Sequence, residues 1–432
     1  MANDYQSNIN KKLLKSFAPA FESSSVILNT TSKQLVNDFD PSTDGDYGQV
    51  SMKRPPQYVP QRTSDGDLTS STANPVRTGK VQAQVSDYIT VYVENTQVEE
   101  ALEADQLDEL LKPIAEDMVI ELESETATFM AENAAHTTGD PDTSIAKWSD
   151  IANAGALLKD IGAPSGKRYG VIDCFDETVL ADLQTQLGVN PEVMSAWDQA
   201  VVKRGFAGLD SVLTTNNLPQ YTTGNDVTGI TLAATPSPTY TSYKDTYRMS
   251  LTLAGFTATT GTLTSGTTLE FPATSLVNLR NGKTLFKSGT AIPLTLTVLP
   301  NPDGLGLGYT ADGSGNIVCD VSGAAIFEAG LNAAFNTVNR ALTSADTVTI
   351  RETASTVYRP SLAYCEGFAG VGSVVLPKLH ATDSMVMNHK GSSIRVHRFS
   401  DGVGNKNRYR FDILPTFACF NPFWGVRVNG VT

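Results

Sequence analysis

Cysteine and histidine are scarce, four of each in 432 residues. Cys174, Cys319, Cys365 and Cys419 are widely spaced and form no CxxC pair, so nothing calls for an oxidising compartment. They are expected as small buried apolar groups. His136, His380, His389 and His397 include no HExxH pair and no metal-ligand spacing, so neither a metal nor another cofactor is expected. No run of about 18 apolar residues occurs, so no membrane span is expected. Lys11, Lys12 and Lys15 lie near the start, but Leu13-Leu14 is too short for the apolar part of a secretory leader, and none is expected. A surplus of base is also lacking. Lys and Arg number 32 against 46 Asp and Glu, and the net charge of −14 argues against tight DNA binding by the whole chain.

Catalytic motifs are missing too. Gly304-Leu305-Gly306-Leu307-Gly308 lacks the third glycine of a dinucleotide fingerprint at the right offset and sits in a strand-only region. Gly162-Ala163-Pro164-Ser165-Gly166-Lys167-Arg168 is one residue short of a phosphate loop, and Arg168 stands where Ser or Thr would hold magnesium. Both are read as turns. No GxSxG elbow marks a nucleophile, and no catalytic residue is assigned.

What is present is a charge separation and a change of pattern along the chain. From Glu94 to Glu125 there are twelve acidic residues and one base; from Lys390 to Arg410 there are six bases and one acid. Contact between the two segments, within or between subunits, is one reading; two separately solvated faces is the other. Residues 1–46 read as an arm, with Ile9, Leu13, Leu14 and Phe17 at helical spacing before Pro19. Residues 47–94 read as a long β-hairpin with a polar tip at 61–78, too poor in apolar groups to order itself. Leu107, Leu110, Leu111, Ile114, Met118, Leu122 and Phe129 predict a long helix, with Pro113 kinking it or marking its first turn. Residues 145–220 alternate helices with short strands. Across 222–350 only 14 residues are charged, and Tyr247, Met249, Leu251 and Leu253 begin a series of period-two strands. This stretch is expected to fold alone as an antiparallel β-barrel or sandwich. Residues 367–376 read as a loop, and Ile394–Phe399 with Tyr409–Leu414 as a hairpin.

Several stretches resemble one family in order along nearly the whole chain. They are Met52-Lys53-Arg54-Pro55, Asp65-Gly66-Asp67, Asp87-Tyr88-Ile89-Thr90-Val91, Val98-Glu99-Glu100-Ala101, Lys147-Trp148-Ser149-Asp150 and Leu376-Pro377-Lys378-Leu379-His380. The most specific are Ser393-Ile394-Arg395-Val396-His397 and Arg410-Phe411-Asp412-Ile413-Leu414-Pro415. They resemble the coat proteins of short-tailed double-stranded-DNA phages of Shigella and Salmonella type. The resemblance implies an α+β chain with the tailed-phage major-capsid fold, also used by herpesvirus capsid floors, and an inserted β-barrel domain.

On that plan the arm is 1–46, the extended loop 47–94, and the spine helix with the peripheral domain 95–144. The axial domain is 145–221 and 351–389, the insertion 222–350, and the peripheral C-terminal strands 390–432. The implied function is self-assembly, as hexamers and pentamers, into an icosahedral shell enclosing DNA without sequence-specific binding. A scaffolding protein and a portal protein are the implied partners, the host bacterial cytoplasm the place of assembly, and the virion the final location. No enzymatic activity and no membrane partner are implied. A secreted β-rich adhesin or glycan-binding module would need a leader, and a hydrolase with a β insertion would need a preorganised polar site. Two contacts are expected from the residues themselves. Glu116, Asp117 or Glu121 should face Arg395, Arg408 or Arg410, and the tip residues Arg62, Asp65, Asp67 and Arg77 should contact a neighbouring subunit.

Overall fold

The computed structural model describes residues 25–32, 49–54, 58, 63–69, 73, 79–96, 107–185, 205, 207–302, 308–378, 383–389 and 392–430. The helix expected at Ile9–Phe17 and the turn expected at 304–307 lie outside them. The chain divides into two compact units, one of residues 1–52, 82–127 and 369–418, the other of residues 53–81, 128–368 and 419–432.

The first unit holds an antiparallel four-stranded sheet in the order Asp383–His389, Ser392–Asp401, Lys406–Ile413, Ile89–Thr96. Alternation builds it: Ile89, Ile394, Val396, Phe411 and Ile413 are buried and point to one face. The expected hairpin turn is made by Asp401, whose Oδ1 accepts from the amides of Val403 at 3.0 Å and Gly404 at 3.2 Å. A second four-stranded sheet runs in the order Gln49–Arg54, Gly79–Val85, Pro415–Cys419, Ala369–Ser373. Two expectations are corrected here. Residues 47–94 do not form one hairpin, because the chain changes sheets at Ser86-Asp87-Tyr88, where the Ser86 amide is taken by the Pro415 carbonyl. Residues 369–373, expected in a loop, are a strand; their small side chains carry no alternation to read.

The long helix is Leu107–Asn133, with Pro113 in its interior. Ala115, Met118, Val119 and Leu122 are buried at i, i+3, i+4 and i+7, so one stripe faces the core. Among the described residues no helix is long and apolar enough to cross a membrane.

The second unit contains a five-stranded sheet ordered His136–Thr138, Gly425–Val428, Ser361–Cys365, Arg168–Ile172, Ser211–Thr214. Its outer pairs are parallel and its inner pairs antiparallel. Helices Trp148–Asp160 and Cys174–Thr185 alternate with the strands, as the sequence predicts. Cys319 and Cys365 are buried as expected, and burial pushes the Cys319 thiol up to about 12. Cys174 departs from that expectation, because it lies exposed in the first turn of its helix.

A six-stranded antiparallel sheet follows the order Thr349–Ile350, Thr268–Ser275, Pro293–Val298, Asn316–Ser322, Arg248–Ala254, Thr231–Leu232. Its two ends are joined. The Leu232 amide bonds the Asp346 carbonyl at 2.9 Å, and the Val348 amide bonds the Ile230 carbonyl at 3.0 Å. The core enclosed there is not separate. One buried cluster runs from Met249, Leu251 and Leu296 to Ala135, Ile151, Leu158 and Val426 of the five-stranded sheet and its helix. Thr297 Oγ1 donates to the Ala134 carbonyl and Ser322 Oγ to the Asn133 carbonyl, each at 2.6 Å. Gly323, at φ +95°, leaves room for this approach; a Cβ there would stand 2.9 Å from Leu296 and 3.2 Å from Ala135.

His136 lies at this junction, fully buried, its ring 5.4 Å from that of Phe423. Neither ring nitrogen meets a hydrogen-bond partner among the described residues. Burial pushes its pKa down to about 3. The folded value lies below the unfolded one, so the neutral ring is compatible with folding above about pH 6.5 and stability is lost as pH falls below it. Each pH unit in that window costs about 1.4 kcal/mol. Between pH 7 and pH 4 the wild type should therefore lose about 3 kcal/mol more than His136→Leu, read from urea midpoints. Parallel pH profiles for the two proteins would sink this account.

Candidate functional site

The expected contact tip is described at residues 63–69, all exposed. The Asp65 carboxylate accepts the Asp67 amide at 3.1 Å, and the Asp67 carboxylate accepts the Thr69 amide at 2.8 Å and the Thr69 hydroxyl. The Thr69 hydroxyl and then its amide hold the Asp67 carboxyl below the usual range. Gly66 takes φ +79° between them, and Leu68 is 57% exposed. The turn therefore orders itself locally through side-chain-to-backbone bonds. Arg62 and Arg77 lie outside the described residues.

The second polar constellation is on the other face of the 383–413 sheet. Register places Thr90, Tyr92 and Glu94 opposite Asp412, Arg410 and Arg408, and these opposite Arg395, His397 and Phe399. Asp412, fully buried, accepts from Arg395 Nη2 at 2.6 Å, Arg410 Nε at 2.6 Å and Thr90 Oγ1 at 2.8 Å. Burial alone would raise its pKa, but hydrogen bonds from Arg395, Arg410 and Thr90 outweigh that and hold the carboxyl low. Arg395 also donates to the Pro377 carbonyl at 3.2 Å. Glu94 takes Lys406 and, at 2.8 Å, Arg408; those bonds depress its pKa. Arg408 lies 3.8 Å from Asp401 and its guanidinium 5.8 Å from the Phe399 ring.

These pairs decide the charge expectation. Glu94, at the edge of the acidic segment, does meet the basic hairpin. For Arg395, Arg408 and Arg410 the carboxylates within ion-pair reach, among the described residues, are Asp412, Glu94 and Asp401 rather than Glu116, Asp117 or Glu121. Strand parity explains the difference. Residues 408, 410 and 412 share one face, so Asp412 is the local partner, and the sequence shows this once the strand is placed.

The arm segment is held by a residue that sequence reasoning missed. Glu123, 1% exposed in the long helix, accepts the amides of Val26 and, at 2.7 Å, Ile27. Ser32 continues into a parallel bridge with Gly370.

In the second unit a cavity of about 510 Å³ is lined in part by Asn153, Asp160, Glu270, Phe286, Lys287 and Arg351. Arg351 is committed to Glu270 at 3.3 Å and to the Gly139 carbonyl. No nucleophile with a paired base lines it, and no group of three metal-ligating side chains occurs among the described residues. Gly162–Arg168 is a turn leading into strand Arg168–Ile172, as expected.

Comparison with known proteins supplies what geometry alone does not. The chain is 39% identical, over the full length of both, to the major capsid protein of Acyrthosiphon pisum secondary endosymbiont phage 1. Among solved structures it is similar to the capsid of cyanophage P-SCSP1u (10% identity, TM-score 0.42, 90% of this chain and 86% of that one). It is also similar to the virus-like particle of Pyrococcus furiosus (7% identity, TM-score 0.39, 97% and 98%). Residues 1–430 match the family described as P22 coat protein, gene protein 5. The chain belongs to the P22 coat protein family and is a major capsid protein of a phage, a building block of its shell.

Proposed function

We propose that this coat protein assembles as hexamers and pentamers into an icosahedral shell, on a scaffolding protein and around a portal, in the host bacterial cytoplasm. The shell encloses double-stranded DNA without reading its sequence, in keeping with the net charge of −14. No catalytic role is part of this reading. The divisions at residues 46, 94, 144, 221, 350 and 389 mark arm, extended loop, peripheral, axial, inserted barrel and returning segments. The hydrogen bonds joining Thr231–Leu232 to 345–348 support a closed insertion.

Within this reading Arg62, Asp65, Asp67 and Arg77 contact a neighbouring subunit. The observation that carries the assignment is the tip at 63–69, exposed yet ordered by its own Asp65 and Asp67 carboxylates. A preformed charged turn adds little affinity per pair but penalises wrong docking, and a shell repeats that penalty at every contact. Asp65→Lys with Asp67→Lys should leave the monomer's circular dichroism and melting unchanged and slow shell assembly by about tenfold or more, since like-charge contacts cost several kcal/mol. Normal shells at the wild-type rate would remove the tip as an assembly contact.

A further inference from the structure

Among the described residues, the charge separation of the first unit is not resolved inside it. On the sheet, the described Arg395, Lys406, Arg408 and Arg410 divide three described carboxylates, Glu94, Asp401 and Asp412, which leaves an excess of positive charge among them. Its outer part is open, with Lys406 42% and Arg410 39% exposed. Tyr92, 50% exposed, stacks on Phe399 at 6.2 Å beneath Arg408. Aromatic groups with arginine are the composition of interface cores.

The long helix presents the opposite sign. Asp117, Glu121 and Glu125 follow at i, i+4 and i+8, with Glu116 beside them. Lys112 reaches Glu116 only at 3.9 Å, with both side chains open to solvent. Ile120 and Tyr88 add exposed apolar surface at 48% and 52%. Glu125 reports the local field. Burial and then the negative charges of Glu121 and Asp87 raise its pKa, while only a Ser86 hydrogen bond lowers it. No cation of its own chain is among the causes.

We propose that the cationic, aromatic face of strands Ile89–Thr96, Ser392–Asp401 and Lys406–Ile413 is a docking surface for the acidic face of the long helix of a second copy. Step lengths match. Helix carboxylates four residues apart rise about 6 Å, and same-face strand residues 406, 408 and 410 are spaced about 6.8 Å. Two different surfaces on each copy make the contact heterologous, which is what generates rings. The inference rests on self-assembly of the chain, a reading tested separately by whether the wild type forms shells at all.

The test is reciprocal charge reversal in the full chain, followed by light scattering and sedimentation. Lys406→Glu with Arg408→Glu, and separately Asp117→Lys with Glu121→Lys, should each slow assembly about tenfold or more while the wild type assembles. The four-site variant should recover to within about threefold of wild type, because opposite signs again face each other. If Glu substitution at 406 and 408 lowers monomer melting, Lys406→Gln with Arg408→Gln replaces it, with the same direction expected and a weaker dependence on salt. A four-site variant no faster than its parents overturns the proposal. So does wild-type assembly by either parent. Normal shells that fail only to retain DNA would make the face a DNA contact and overturn it equally.

Discussion

Asp412→Ala should cost about 3–5 kcal/mol of monomer stability, among the largest effects of any single change in the sheet of residues 383–413. The carboxylate is fully buried and takes two guanidinium groups and the Thr90 hydroxyl. Without it Arg395, itself 8% exposed, is left charged in a nearly dry site, with the Pro377 carbonyl as its remaining partner among the described residues. Arg410 can turn to solvent, since it is 39% exposed, so most of the loss should come through Arg395. Changing Arg395→Met together with Asp412→Leu removes both charges and should recover much of the loss. The pH dependence has a definite sign. The folded carboxyl lies below its unfolded value, so its contribution is present above about pH 4 and disappears as pH falls through the lowered folded value. Urea unfolding of purified monomer decides the matter: a loss under about 1 kcal/mol for Asp412→Ala would mean that the ion pairs are not what holds this sheet.

Arg427→Met should be comparably severe, about 3–5 kcal/mol, in the second unit. Arg427 is 1% exposed, and its guanidinium donates to the Gly266 carbonyl and to the Thr137 and Thr268 hydroxyls. It lies 5.8 Å over the Tyr221 ring. Tyr221 in turn donates to buried Glu352 at 3.2 Å, and the Thr268 amide donates to the same oxygen at 2.9 Å. Methionine fills the space but leaves these acceptors dry, and an unmade buried bond costs about 1–3 kcal/mol. A second readout is Glu132. Burial pushes its carboxyl up to about 7 even though Arg248 and Arg427 pull it down. Loss of Arg427 should raise it further, visible as a carboxyl titration moving upward in carbon-13 NMR. An unchanged melting temperature together with an unmoved Glu132 titration would dismiss this assignment.

Long, regularly patterned elements were readable from residues alone. The stripe through Met118 and Leu122 predicts the helix, and Met249, Leu251 and Leu253 predict a strand with one buried face; all five are buried. Strands Ser361–Cys365 and Gly425–Val428 were not readable, because they are buried on both faces and show no alternation. The hairpin at 392–413 was legible because Asp401 and its glycines punctuate two alternating runs. Its ion pairs were not, because they depend on which residues share a face and on Thr90 from a strand some 320 positions away. The low charge of 222–350 marks an interior rich in strands, yet composition does not show that this interior continues into Ala135, Leu158 and Val426.

The placement of strand Gly425–Val428 makes it a keystone. It sits between His136–Thr138 and Ser361–Cys365 and carries Arg427. The Arg427 guanidinium meets Thr137 across 290 positions of sequence. Contacts that distant close large loops, so the middle of this sheet should be among the last parts of the second unit to form. Until it does, the Gly266, Thr137 and Thr268 acceptors wait without their donor.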